Sequence, residues 1–161
     1  MSTTPESLSA LISHYFDADH NRLEHLLNQF IVLLEKDKSR AIMYFGVFEK
    51  GLHKHVTWEE EVLFPWFEKL SGNGSNGPTH VMYYEHGLIK ESISEIKRKL
   101  DDDNMNIKSN IQNLLSIVQQ HHQKEEKIFY PMLDKLCDEE ATSEIFLQLS
   151  DLDNEGSTEE A

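Results

Sequence analysis

Residues 55–65, HVTWEEEVLFP, and residues 121–131, HHQKEEKIFYP, share the skeleton H-x-x-x-E-E-x-x-x-x-P, and no other feature constrains the chain more. The shared pattern extends well beyond these segments. An offset of 66 maps His20 onto His86, Leu23 onto Ile89, Leu27 onto Ile93, Leu52 onto Val118, His55 onto His121, Glu59 onto Glu125 and Pro65 onto Pro131. Within each half the two histidines are 35 residues apart. This is a repeated two-helix unit, and two such units can pack about a pseudo-twofold axis that brings both sets of His and Glu side chains to mid-bundle.

Four stretches carry apolar residues at alternating three- and four-residue steps, the mark of an amphipathic helix facing a core. The first runs through Ile12, Phe16, His20, Leu23, Leu27, Phe30 and Leu34, and the second through Phe45, Phe48, Leu52, His55, Glu59, Val62 and Trp66. The third contains Met82, His86, Ile89, Ile93, Ile96 and Leu100, and the fourth Ile107, Ile111, Leu114, Val118, His121, Glu125, Ile128 and Met132. EKDKS, SGNGSNGP and DDDN separate them, the last offering Asp or Asn as an N-cap. Short connections favour antiparallel neighbours, so the expected fold is all-α, an up-down-up-down four-helix bundle with an internal two-helix repeat. Residues 1–150 are expected to form a single domain, with a short helix near Ser143–Leu149. Residues 151–161 read as an acidic, disordered tail.

Four histidines and two glutamates therefore lie on stripes that should be buried. A His four residues before a Glu puts both on one helical face. Burying six such groups without partners costs several kcal/mol each, and direct bonding to metal removes that cost. If Glu59 and Glu125 each bridge two ions, each ion receives two carboxylate oxygens and two imidazoles. An oxo or hydroxo bridge makes five, leaving one open position for a small molecule. Such ligation suits iron, and manganese less well. Structural zinc prefers four ligands and thiolates. The bland alternative is a His–Glu hydrogen-bonded network in a structural bundle.

With DHNRLEHLL, HVTWEEEVLFP, GPTHVMYYEH and HHQKEEKIFYPMLD around these residues, the pattern H-HxxxE-H-HxxxE resembles the hemerythrin-like (HHE cation-binding) domain over about residues 8–137. The resemblance implies a non-heme di-iron site with His20, His55, Glu59, His86, His121 and Glu125 as metal ligands and the two carboxylates as bridges. Oxygen-carrying hemerythrins have a further histidine four residues before the one that His86 matches, where this chain has Met82. The set of four His and two Glu is similar to that of di-iron proteins implicated in repair of iron centres and nitric-oxide stress, whose cysteine-bearing N-terminal domain this sequence lacks.

Other residues carry weaker signals. His122 competes with His121, but only His121 reproduces the spacing of His55 to Glu59 and Pro65. Asp19, Glu60, Glu85 and Glu126 adjoin the ligands and are either solvated or hydrogen-bonded to an imidazole. His14, His25, His53 and His80 have no equivalents in the other half and read as surface or hydrogen-bond-satisfied residues. Pro65 and Pro131 should bend their helices beyond the site. Phe16, Trp58, Met82, Tyr83, Tyr84 and Tyr130 read as core packing, with lining of the open position, or a role as redox-active neighbours, as the alternatives.

A net charge of −14 argues against nucleic-acid and anionic-membrane partners. No signal peptide or membrane span is legible, and Cys137, the single cysteine, fits a reducing cytoplasm. The functional expectation is binding of O2 or NO at the open position for sensing, storage or detoxification. The alternatives are a di-iron enzyme reducing peroxide or nitric oxide, and an iron storage or donor protein. A monomer or weak homo-oligomer is expected, and a sensor would need a separate protein partner.

Overall fold

The computed structural model describes the backbone of residues 5–74 and 77–160, and side chains from Ile12 to Glu155 within those spans. The structure is an all-helical bundle. Helix α1 spans Pro5–Leu33, α2 Lys38–Trp58, α3 Phe64–Ser71, α4 Pro78–Asp101, α5 Lys108–Lys124, α6 Tyr130–Leu136 and α7 Glu139–Glu160. Helix α1 packs along α2, and α4 along α5. Asp37 caps α2 through its side chain. At α5 the expected Asp or Asn cap is absent; Ile107 holds the N-cap position, without a side-chain bond. Gly72 ends α3 with φ +76°, a left-handed conformation that glycine adopts at little cost. The middle of the SGNGSNGP loop, residues 75–76, lies outside the described residues.

The two proline-bearing helices do not simply bend. Each passes through one wide π-helical turn, Glu59–Leu63 and Glu125–Phe129, before continuing as α3 and α6. There the N–H of Phe64 donates to the Glu59 carbonyl, and that of Tyr130 to the Glu125 carbonyl, five residues back in both cases. Pro65 and Pro131 follow at the first positions of the resumed helix, where a missing N–H is best tolerated. The Tyr83 hydroxyl donates to the Glu60 carbonyl at 3.4 Å.

The π turn corrects the expected stripes. Ile128 and Met132, assigned to the buried face, are 54 % and 40 % exposed, while Phe129, Tyr130 and Leu133 are fully buried. In the other half Trp66 is half-buried and Phe67 takes the core position. The extra residue accommodated by the wide turn advances the inward face by one position.

The apolar core divides into two clusters. One includes Leu23, Leu52, Ile89 and Val118; the other includes Phe16, Trp58, Met82 and Phe129. On α1 the residues Phe16, His20 and Leu23 step from one cluster to the other, and Met82, His86 and Ile89 do the same on α4. The inward histidines thus form a polar layer between two apolar ones. The final helix is longer than the expected Ser143–Leu149 and spans Glu139–Glu160. Ile145, Leu149 and Leu152 join the second cluster, and Trp58 Nε1 donates to Asp153 Oδ1 at 3.0 Å. Apolar burial and this hydrogen bond hold the final helix to the bundle as far as Asp153.

Candidate metal centre

Each half contributes one histidine from its first helix and an HxxxE pair from its second. His20, on α1, and His55, on α2, stand with Glu59 and Glu125 in one group; His86, on α4, and His121, on α5, stand with the same two glutamates in another. Within each group the potential ligand atoms all lie within 4.8 Å of one another. The carboxylates divide their oxygens between the groups. Glu59 turns Oε2 toward His55 at 3.5 Å and Oε1 toward His86 at 3.1 Å. Glu125 turns Oε1 toward His20 at 3.0 Å and Oε2 toward His121 at 3.1 Å. All six side chains are buried.

The outer nitrogens of the four imidazoles are also partnered, and the partners obey the 66-residue offset. His20 Nδ1 donates to Glu126 at 2.7 Å, and His86 Nδ1 to Glu60 at 2.7 Å. His55 Nδ1 donates to Asp19 and His121 Nδ1 to Glu85, both at 2.8 Å. The sequence left these four carboxylates between solvated and hydrogen-bonded; the fold gives each one an imidazole. A carboxylate only accepts, so Nδ1 carries hydrogen and Nε2 is the inward atom. Lys124 pairs with Glu85, and Arg22 with Asp19 at 2.9 Å, steadying two of these carboxylates.

One further side chain enters the layer. The Tyr130 hydroxyl donates to Glu59 Oε2 at 2.6 Å and lies 3.1 Å from Glu125 Oε1. It also stands 3.1 Å from His20 Nε2 and 3.3 Å from His55 Nε2. The sequence favours packing for Tyr130, with lining of the open position as an alternative, and the structure carries its hydroxyl into the donor layer. In a regular α-helix, residues five apart point about 140° away from each other, so Tyr130 and Glu125 would not meet; the π turn brings them together. The only signal available earlier was the position of Tyr130 before Pro131, matching Phe64 before Pro65.

His122, the competitor of His121, is buried and stacks on His20 at 3.6 Å between ring centroids, with Nδ1 donating to Glu24 at 2.8 Å. It belongs to neither donor group. His14, His25, His53 and His80 are exposed. Phe16, Trp58 and Met82 are buried in the core, whereas Tyr83 and Tyr84 are exposed. Burial, with Asp134 and Asp138, pushes the Cys137 thiol up to about 11, which leaves it inert.

Electrostatics binds the layer. Burial works against charged imidazoles, yet Glu59, Asp19 and Glu125 raise His55 to about 10. His86 is raised to about 11 by Glu125, Glu59 and Glu60, and His121 to about 9 by Glu125 and Glu85, again against burial. Burial would raise the Glu125 carboxyl, but His121, His20 and His86 hold it well below the usual range. His122 behaves oppositely: burial pushes it down to about 4. Without a cation, protons on the inward imidazoles balance the carboxylates.

That balance is incomplete. Glu59 Oε1, His86 Nε2, His121 Nε2 and Glu125 Oε2 are buried and have no hydrogen-bond partner. Their mutual distances near 3.1 Å give charge attraction without hydrogen-bond alignment. Inward nitrogens and carboxylate oxygens converging in this way are a donor set that fits a cation. The family model for the hemerythrin HHE cation binding domain matches residues 11–133. The chain belongs to the hemerythrin HHE family. This hemerythrin-family chain is 27 % identical over 126 residues to a protein named DNA nickase from Nostoc sp., covering 78 % of this chain and 34 % of that one. It is 25 % identical over 104 residues to the iron-sulfur cluster repair protein YtfE of Yersinia pestis, covering 58 % and 47 % respectively. It thus spans from about a third to about half the length of these curated relatives. No solved structure matches the chain. Among the described residues, no helix is long and apolar enough to cross a membrane.

Proposed function

We propose that this chain is a non-heme di-iron protein that binds dioxygen or nitric oxide at an open coordination position, serving sensing, storage or detoxification. His20, His55, His86 and His121 would be the terminal ligands and Glu59 and Glu125 the bridges, carried on four principal helices running up-down-up-down. The observation that carries this reading is the division of both buried carboxylates between two donor groups. Mixed imidazole and carboxylate ligation suits iron.

Iron bound here would supply electrons and a position for a diatomic ligand. The chain's own residues do the rest. Asp19, Glu60, Glu85 and Glu126 aim the inward nitrogens, and the two apolar clusters exclude bulk water from the layer. The YtfE relative, by its name, favours a second reading, in which the site stores iron or donates it to damaged centres.

The test is metal analysis of protein purified without added metal, beside the Glu59→Ala, Glu125→Ala double variant. About two irons per chain, lost in the variant, with a reversible spectral change under dioxygen or nitric oxide, is the expected result. Rapid loss of iron to a chelator without such a change would favour the donor reading. Turnover of peroxide or nitric oxide would make it an enzyme. Absence of iron would overturn all three.

A further inference from the structure

The geometry points to Tyr130 as a fifth protein ligand to the cation held by His20 and His55, which makes the two halves of the centre unequal and directs an external ligand to the half of His86 and His121. The inference rests on the di-iron reading and deepens it.

Three observations carry it. The Tyr130 oxygen lies 2.6, 3.1, 3.1 and 3.3 Å from Glu59 Oε2, Glu125 Oε1, His20 Nε2 and His55 Nε2, the four donor atoms of one group. Neighbouring donors around one first-row ion with bonds of about 2.1 Å are about 3 Å apart, so the phenol oxygen occupies a place in that shell. Second, the position that the repeat equates with Tyr130 is Phe64, whose ring lies against His86 at 5.5 Å and 18° and brings no oxygen. Third, among the atoms of the two donor groups, those without a hydrogen-bond partner belong to one group. Glu59 Oε1, His86 Nε2, His121 Nε2 and Glu125 Oε2 constitute the other donor group, and none has a hydrogen-bond partner.

The halves therefore offer five protein donors and four. On coordination the Tyr130 O–H bond gives way to an oxygen–metal bond, and the proton passes to bulk water; no electron moves. The four-donor half, where Phe64 supplies no oxygen, keeps one more coordination position for an added ligand. A duplicated sequence would otherwise give two equivalent ions.

Resonance Raman spectroscopy of the iron-loaded, air-oxidised protein tests this directly, with iron content measured on the same samples. We expect phenolate vibrations and a phenolate-to-iron(III) absorption band in the unaltered protein. Both should vanish in Tyr130→Phe, whose helix content and iron content are measured on the same sample. Phe64→Tyr should add a second phenolate signal and suppress azide binding. Iron-loaded unaltered protein without phenolate bands overturns the inference while leaving the di-iron reading standing. Azide binding that survives Phe64→Tyr removes the assignment of the open half. Failure of the unaltered protein to hold iron overturns both.

Discussion

Glu126 Oε2 lies 2.7 Å from His20 Nδ1, so the carboxylate next to Glu125 in one half anchors a histidine of the other. The same exchange joins Glu60 to His86 at 2.7 Å within the molecule's second set. Removing both anchors by Glu60→Ala and Glu126→Ala frees two imidazoles to rotate. Metal affinity should fall about 10–100-fold with helix content unchanged, as read by competition against a chelator. Unaltered affinity would mean that packing alone orients the rings.

His121 and His122 should separate cleanly under substitution. His121→Phe should lose metal, because its Nε2 faces Glu125 Oε2 at 3.1 Å. His122→Phe should retain metal, because its ring stacks on His20 outside both donor groups. Equal metal content in the two variants would reverse the assignment.

The metal-free protein should lose stability in alkali. Folded His121, His55 and His86 hold protons up to about 9, 10 and 11, against about 6.5 in the unfolded chain. Between those limits the folded state binds more protons, so this stability is complete below pH 6.5 and is lost as pH rises through 9 to 11. His122 acts in the opposite sense. Its folded value near 4 lies below the unfolded one, so it destabilises the fold as pH falls from 6.5 toward 4. Urea midpoints of metal-free protein from pH 4 to 10 should rise and then fall, and His122→Phe should flatten only the acid limb.

The π turn makes a prediction contrary to the α-helical stripe. Phe129→Ala should cost about 3–5 kcal/mol through cavity formation, whereas Ile128→Ala, at a position 54 % exposed, should stay within about 0.5 kcal/mol. Chemical denaturation of both variants decides it, and a larger cost at Ile128 would place the α-helical phase back in the core.

What sequence alone determined here is local and periodic. Apolar residues three and four apart specify amphipathic helices whatever their partners. The 66-residue offset pairs His20 with His86 and Glu59 with Glu125 before any coordinate is known, because a repeated pattern implies a repeated surface. Tertiary structure decided what depends on distant chain or on accumulated phase. Glu126 meets His20 across 106 positions and Trp58 meets Asp153 across 95; no local pattern encodes either pair, and the second ties the final helix to α2. Phase explains Tyr130. One residue added to a helical turn rotates everything after it, so Ile128 and Met132 move outward while Phe129 and Tyr130 move in. A periodicity of 3.6 carries no trace of that step until the backbone shows Tyr130 bonding five residues back to Glu125.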